Sequence, residues 1–165
     1  MARCGLILLV MVFILLLAGC QQESKEDAVR ILIFSDIHPA YQEEVEKELQ
    51  QRAADSPLNV ELHPLSKEKF AVLLAQQDGD LYMADTEYVK SLAGKSGLES
   101  LGKLAGASDV EEYRNGQEHF GASLPSGLIP YNQNQQTLAA FVPSFSDQKE
   151  NSMEVLGKLL NRRNR

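Results

Sequence analysis

The sequence predicts an α/β fold, a three-layer sandwich around a mainly parallel sheet of about four to five strands. Two observations lead to this prediction. Short apolar runs alternate along the chain with longer segments whose apolar residues recur at helical spacing, which is typical of strands joined by crossover helices. The first apolar run, residues 31–34, has no polar position. It therefore predicts a central strand that is buried on both faces.

The first helix follows this strand. Pro39 stands where a helix can begin, because its fixed φ suits the first helical turn. Beyond it, apolar side chains recur every four residues among glutamates, which predicts an amphipathic helix with a narrow buried stripe. The stripe consists of Tyr41, Val45, Leu49 and Ala53, and Pro57 ends the helix.

Two further strand–helix units come next. Residues 60–63 alternate apolar and polar and predict a half-buried edge strand. Ser66 is placed to cap the following helix, which turns Phe70 inward. Residues 81–84 predict a third strand, and Asp85 is placed to cap a short helix after it.

The pattern loosens over residues 94–136, where glycines recur and only 110–113 indicates a helical turn. A loop-like stretch of about 40 residues is unusual in a compact domain. The segment therefore either contains an unrecognised helix or is a flexible or binding segment. Order returns with a strand at 138–142, and Asp147 with Glu150 forms a capping-box pattern that predicts the start of a final helix.

The amino terminus has the organisation of a secretory signal peptide. Arg3 precedes a thirteen-residue apolar run, Leu6–Ala18, which is short for a bilayer-spanning helix. The tetrad Leu17-Ala18-Gly19-Cys20 resembles the lipobox of bacterial lipoproteins. This resemblance implies cleavage before Cys20 and acylation of its sulfur with fatty acids such as palmitate. The alternative is an uncleaved signal-anchor helix in which the cysteine stands by chance.

The lipoprotein interpretation sets the domain organisation. Residues 1–19 are the signal peptide, 20–29 are the lipidated cysteine and a short tether, and 30–165 are a single α/β domain. Cleavage of residues 1–19 leaves 146 of the 165 residues, which is the size of one domain. The anchor places the protein at the cell membrane, on its extracytoplasmic face. Cys20 is then the only cysteine left, so the protein has no disulfide and no cysteine nucleophile.

The charge of the chain is acidic. The formal net charge is −7, and loss of Arg3 with the signal peptide makes it −8. Such a surface repels nucleic acid and anionic lipid headgroups. With no basic stripe and no aromatic platform, the sequence predicts no nucleic-acid binding.

The order of elements resembles the first lobe of a bacterial extracellular solute-binding protein of the type II periplasmic-binding fold. The resemblance rests on the stretch from "RILIFSD" through Asp80-Leu81-Tyr82 and Gly97-Leu98-Glu99-Ser100-Leu101, and on "LAAFVPSF" with its following helix. It implies that the last strand is antiparallel and that a solute is the ligand. Residues 102–136 stand where a whole second lobe would be inserted. A single lobe buries less of a ligand, so the resemblance implies weak solute binding.

An enzyme interpretation is a further alternative. Asp36-x-His38 after the first strand, with Gly79-Asp80, resembles the start of a binuclear metallophosphoesterase, in which two metals activate water. The remaining motifs of that family, Gly-Asn-His and Gly-His-x-His, are missing. A single-metal site from Asp36, His38 and Asp85 is a further alternative. We expect instead a protein that is not an enzyme and holds neither cofactor nor metal.

The three histidines and two of the tyrosines are interpreted as structural residues rather than as functional ones. His38 precedes Pro39 and is interpreted as a polar residue at a helix start. His63 is interpreted as a surface residue of the edge strand and His119 as a loop residue. Tyr82 and Tyr88 are interpreted as core or rim residues rather than as ligand contacts.

The sequence thus favours a non-catalytic lipoprotein that binds a small solute weakly or docks to a membrane-protein partner. The competing interpretation is a structural or interaction lipoprotein with no small-molecule ligand. Ligand sites in α/β sheets lie beyond the carboxyl ends of the strands. The candidate ligand-binding residues there, after the first and third strands and in the loose segment, are Ser35, Asp36, Ala84, Asp85, Tyr131 and Asn132.

Overall fold

The structure is a computed structural model that describes residues 28–93, 95, 97–102, 104, 113–116, 118–132 and 137–161. The predicted signal peptide, Cys20 and most of the tether lie outside the described residues. So do residues 110–112 of the predicted helical turn.

Among the described residues, a five-stranded sheet forms the middle layer of the domain. Its strands lie in the order β2-β1-β3-β7-β6, and β1 is parallel to both of its neighbours. Strand β7 is antiparallel to β3 and to β6, as the predicted last strand was expected to be. The strands are β1 (Val29–Ser35), β2 (Leu58–Pro64), β3 (Leu81–Asp85), β6 (Ala122–Ser123) and β7 (Leu138–Phe141), and a separate pair is formed by β4 (Arg114–Asn115) and β5 (Glu118–His119).

Four helices of the described residues cover the two faces of this sheet. They are α1 (Gln42–Ala53), which follows a 3-10 turn at Pro39–Tyr41, α2 (Lys67–Ala75), α3 (Thr86–Ala93) and α4 (Lys149–Leu160). Buried residues of α1 and α4 share one core cluster, and those of α2 and α3 share the other. The predicted α/β sandwich with a mainly parallel sheet is therefore confirmed.

The apolar character of β1 explains its central place. Side chains of a strand point alternately to opposite faces, so Ile31 and Ile33 enter the core under α1 and α4. Leu32 and Phe34 enter the core under α2 and α3. All four side chains are fully buried. A strand with polar residues at either set of positions would leave one of the two cores unfilled.

Strand β2 is the predicted edge strand, and its burial alternates along its length. Its outer edge is covered by two glutamines of α1. The Gln50 side chain accepts a hydrogen bond from the Leu58 amide at 3.1 Å, and the Gln42 side chain accepts one from the Leu62 amide at 3.3 Å. Pro64 has no amide hydrogen to offer. These contacts occupy donors that would otherwise pair with another strand.

Two predicted helix caps are confirmed. The Ser66 hydroxyl accepts a hydrogen bond from the Lys69 amide at 3.2 Å, and an Asp85 carboxylate oxygen accepts one from the Glu87 amide at 2.8 Å. Both are contacts within three residues, which depend only on local sequence.

The predicted capping box of the last helix is wrong. Helix α4 begins after Gln148, which makes no side-chain cap, and Asp147 lies outside the helix. The Ser146 hydroxyl instead accepts a hydrogen bond from the Gln148 amide at 3.0 Å and donates one to Asp80 at 2.6 Å. The start of the helix is therefore fixed to the turn before β3, which local sequence does not reveal.

The described part of the loose segment contains three two-residue strands, β4, β5 and β6. They are too short to produce an alternating sequence pattern, which explains why the sequence did not predict them. Leu101 and Tyr113 are fully buried beside them. The Leu101 amide donates to the His119 carbonyl at 2.6 Å, so this part of the segment is packed against the domain.

Two histidine interpretations are wrong, and one is confirmed. His38 caps the 3-10 turn, since its Nδ1 accepts a hydrogen bond from the Ala40 amide at 3.2 Å. His119 lies in β5 and is buried, so it is not a loop residue. The His63 side chain is only 11% exposed, because its ring packs against Phe34 with the centroids 5.1 Å apart.

Burial of His63 makes the stability of the domain depend on pH. Burial, followed by the charge of Lys69, lowers the pKa of His63 below its ordinary value of 6.5. The neutral ring is thus favoured in the folded state, and its contribution is complete above pH 6.5. We expect the free energy of unfolding to fall as the pH drops from about 6.5 through the folded pKa, by at most about 1.4 kcal/mol per pH unit.

Urea unfolding between pH 7.5 and 5.5 measures this effect. His63→Gln removes the titrating ring and should flatten the profile in this window. An unchanged slope in the variant would assign the pH dependence to other groups.

Candidate functional site

Four strands end at one edge of the sheet, here called the carboxyl edge. β1, β2 and β3 run in the same direction, and β6 runs with them because both β3 and β6 are antiparallel to β7. The beginning of β7 therefore lies at this edge too. In open α/β sheets, ligands bind beyond this edge.

A groove of about 710 Å³ lies at the carboxyl edge, between the end of β6 and the beginning of β7. This volume is within the range of about 300–1,000 Å³ that is usual for small-molecule sites. Its walls come from the connection 124–132 and from Thr137 and Leu138, where β7 begins. The lining residues are Leu124, Pro125, Ser126, Gly127, Ile129, Pro130, Tyr131, Asn132, Thr137 and Leu138.

The connection 124–132 is anchored at several points. The Leu124 amide donates to the Leu138 carbonyl at 2.8 Å, and the Leu128 amide donates to the Pro125 carbonyl at 3.1 Å. The second bond closes a turn in which Gly127 has a φ of 77°, a conformation that glycine adopts without cost. Leu128 and Ile129 are buried in the core. The groove therefore has a wall that packing holds in place.

Tyr131 is the most conspicuous residue of the groove. It is 45% exposed, and its ring stacks on Tyr41 with the centroids 4.1 Å apart and the planes 10° apart. Its φ of 63° is a left-handed conformation that is rare for a bulky residue. Such a conformation costs about 1–3 kcal/mol and is concentrated at ligand clamps and active sites.

The described lining has no charged side chain. Its hydrogen-bonding side chains are those of Ser126, Tyr131, Asn132 and Thr137, and the other lining residues are apolar or glycine. The Thr137 carbonyl is fixed by Thr86, whose amide donates to it at 3.2 Å and whose hydroxyl donates at 2.9 Å. The groove can therefore offer neutral hydrogen bonds and apolar contact.

The structure distributes the six candidate residues over this edge. Tyr131 and Asn132 line the groove. Ser35 is buried, and its hydroxyl accepts a hydrogen bond from the Ile37 amide at 3.3 Å, which shapes the turn after β1. Ala84 is fully buried in the core under α2 and α3. Neither Ser35 nor Ala84 is among the described lining residues.

Asp36 and Asp85 lie at the same edge, beside Tyr88 rather than in the groove lining. Burial raises the pKa of the Tyr88 phenol, and the charges of Asp85, Glu68 and Asp36 add to this effect in that order. Asp85 also pairs with Leu138 across β3 and β7, so it adjoins the groove through the backbone. The sequence placed both aspartates at the correct edge, and a role in binding stays a prediction.

Sequence reasoning missed Ser126, Thr137 and the part played by Tyr41. The Pro125-Ser126-Gly127 turn was visible as a turn signal, although nothing in it indicated a ligand. Tyr41 was assigned only to the buried stripe of the first helix. Its stacking on Tyr131 joins residues that are far apart in the sequence, and no local pattern predicts that contact.

The alternative of a single metal held by Asp36, His38 and Asp85 finds no support in the geometry. Within the part of the chain that the structure describes, no three histidine, cysteine or acidic side chains come together as a metal-binding group. The Nδ1 atom of His38 accepts a hydrogen bond from the Ala40 amide.

Among the described helices, none has both the length and the apolar character needed to cross a bilayer.

Comparison with known proteins identifies a relative in Bacillus subtilis (strain 168) whose name is Putative lipoprotein YteS. The two sequences are 22% identical over 161 residues, which cover 92% of this chain and 93% of that protein. The aligned share is larger than residues 28–165, so the alignment extends into the amino-terminal segment. No family model matches the chain, and no solved structure matches it. The similarity supports the interpretation of the chain as a bacterial lipoprotein.

Proposed function

We propose that this chain is a lipid-anchored extracytoplasmic protein that binds an uncharged small solute in the groove at the carboxyl edge, without catalysis. The observation that carries the proposal is the groove itself. It has the volume of a small-molecule site, a wall held by packing, and an exposed tyrosine in a strained backbone conformation.

The anchor follows from the amino-terminal segment. Cys20 ends a lipobox-like tetrad behind a short apolar run, and the similarity to a protein named as a lipoprotein extends into this segment. Two or more acyl chains hold a protein on a bilayer stably, whereas one chain is marginal. The folded domain then stays within the reach of a short tether.

Cys20→Ala should abolish membrane attachment through lipid. The thiol is the atom that would be acylated, so the variant should no longer incorporate labelled palmitate. Fractionation of the cells should move the variant out of the membrane pellet, or retain it there only as an unprocessed precursor of higher mass. A variant that still carried label in the membrane fraction at the mature mass would contradict the proposed anchor.

Absence of catalysis is supported by the chemistry of the groove. The described lining contains no histidine, cysteine, lysine or carboxylate, which are the usual general bases and activated nucleophiles. The Ser126 hydroxyl has no such base among its described lining neighbours. The described lining is thus equipped to hold a solute and carries none of these four kinds of group.

The groove is open, so we expect binding to be weak. High affinity for a small ligand requires burial of most of its surface, and a site at one edge of a single sheet leaves part of the ligand in water. Micromolar to millimolar dissociation constants are the expected range.

A thermal-shift screen tests the proposal. The lipidated protein in detergent is heated with sugars, peptides, amino acids and divalent cations. A ligand at 100 times its dissociation constant should stabilise the protein by about 2.7 kcal/mol. Ser126 is an exposed lining residue, and Ser126→Trp should fill the groove and remove the response.

The matched control is Gln51→Trp, which places the same side chain at an exposed position of α1. It should keep the full response to the ligand. A response that survives Ser126→Trp would place the binding site elsewhere. A flat result across the panel would contradict solute binding and favour a structural or interaction lipoprotein.

A further inference from the structure

We infer that the groove recognises a neutral, polyhydroxylated ring, with Tyr131 as the specificity-determining surface and Tyr41 as the residue that positions it. This inference rests on the proposed function, because it names the chemical class of solute for the same groove. Three independent features of the groove lead to it.

The first feature is charge. A carboxylate or an ammonium group that loses water needs a charged partner, since an unpaired buried charge is costly. The described lining offers no such partner. Asp36 and Asp85 at the same edge and the formal net charge of −7 also repel an anionic solute. An uncharged solute avoids both costs.

The second feature is the exposed aromatic face. Tyr131 lines the groove and is 45% exposed, and the nearly parallel Tyr41 ring covers one face of its ring, which leaves the other face for a ligand. The C–H bonds on the face of a sugar ring are weakly positive, and an aromatic face is negative. A sugar ring can therefore lie flat on a tyrosine while its hydroxyl groups point sideways.

The third feature is the set of polar groups around the aromatic face. Ser126 and Thr137 carry hydroxyls that both donate and accept hydrogen bonds, and Asn132 carries a carboxamide with the same capacity. Sugar hydroxyls also donate and accept. Neutral groups of this kind match a hydroxylated rim better than they match an aliphatic or a purely aromatic compound.

The backbone of Tyr131 agrees with a recognition role. A tyrosine at a φ of 63° is more costly than the glycine or asparagine that ordinarily occupies this conformation. Stacking on Tyr41 offsets part of this cost. Backbone strain of this kind is concentrated at residues whose side chains contact ligands.

Tyr41 acts through Tyr131. It belongs to the 3-10 turn that follows β1, and it packs partly against the core cluster under α1 and α4. Its ring therefore holds the Tyr131 ring against a packed part of the domain. Tyr41 is not among the described residues that line the groove, so its effect on the ligand is one of positioning.

The experiment uses Tyr131→Trp in the lipidated protein in phosphatidylcholine vesicles. The chain has no tryptophan, so the emission of the variant comes from the groove alone. The probes are glucose and galactose, their neutral disaccharide lactose, and for each hexose the uronate and the amino sugar, which carry the same ring with a negative or a positive charge. Choline is added as a cation that stacks on aromatic faces.

We expect a saturable change in emission with at least one neutral sugar. Its dissociation constant should be at least about tenfold lower than those of the matching uronate and amino sugar, because a charge must lose water without a partner. Equal or tighter binding of a charged analogue, or of choline, would overturn the inference.

Companion variants examine the two tyrosines by thermal shift, with the neutral sugar as ligand. Tyr131→Phe should keep the response and Tyr131→Gly should lose it, although glycine suits the backbone. Tyr41→Phe should keep the affinity, and Tyr41→Leu should weaken it at least about fivefold, within the range of an aromatic contact. Equal affinity in Tyr41→Leu and Tyr41→Phe would remove the positioning role.

The outcomes also separate this inference from the proposed function. If no sugar binds while another uncharged solute gives a response that Ser126→Trp abolishes, the inference fails and the proposed function stands. If no solute of any class binds, both fail.

Discussion

Phe34→Ala should lower the free energy of unfolding by about 3–5 kcal/mol, the usual cost of removing a large buried aromatic side chain. Phe34 is fully buried in β1. Its ring meets Phe70 of α2 edge to face at 5.1 Å and lies parallel to Tyr82 of β3 at 6.3 Å. The substitution removes apolar contacts from the sheet and from a helix at once, and it leaves a cavity.

Urea unfolding of a soluble form, residues 23–165, measures this loss. Since domains of this size are stable by about 5–15 kcal/mol, the variant should unfold at a much lower urea concentration. The matched control is Val72→Ala on the outer face of α2, where the side chain is 51% exposed. It should cost less than about 0.5 kcal/mol. Similar losses in both variants would contradict the role of the Phe34 cluster.

Gly79→Ala is expected to have the second large effect, a loss of about 2–5 kcal/mol. Gly79 lies in the turn before β3 with a φ of 98°, where a side chain strains the backbone by about 1–2 kcal/mol. A Cβ atom there would also stand 2.8 Å from two atoms of the Leu32 side chain. Leu32 is fully buried, so relieving the overlap disturbs a packed core, at about 1–3 kcal/mol.

Gly116→Ala is the control that separates strain from overlap. Gly116 has a φ of 65°, and a Cβ atom at this position would meet no atom within 4 Å. It should therefore cost only the backbone term. The difference between the two variants in urea unfolding reports the overlap with Leu32, and no difference would contradict that contact.

Much of the fold could be predicted because its signals are local or periodic. The uninterrupted apolar run of β1 predicted burial on both faces of the strand, and this prediction did not depend on which helices pack there. The helix caps at Ser66 and Asp85 join each side chain to an amide within three residues. Such features depend on hydrogen bonds and spacing that the chain carries with it.

The errors share a different cause. His63 occupies a polar position of β2, where alternation predicts exposure, but its ring packs against Phe34 of β1 and its side chain is only 11% exposed. Asp147 and Glu150 have the spacing of a capping box, but Ser146 takes the position beside the helix start and binds Asp80. In both cases a residue distant in sequence changed the environment that the local pattern predicted.

The groove shows the same division. Its edge of the sheet followed from the order of strands and helices, and Tyr131 and Asn132 were among the candidates. The pairing of β6 with β7 could not be predicted, because a strand of two residues has no periodic sequence pattern. The contact of Tyr41 with Tyr131 could not be predicted either, because the two rings come from turns that are distant in the sequence.

The sequence by itself determined the α/β class, the buried central strand, the local helix caps and the lipobox-like cysteine, since each depends on composition or short-range spacing. Only the tertiary structure decided which side chains line the groove, which histidines are buried and how Tyr131 is held. These depend on close packing between side chains of elements that are distant in the chain, and local sequence patterns do not specify that packing.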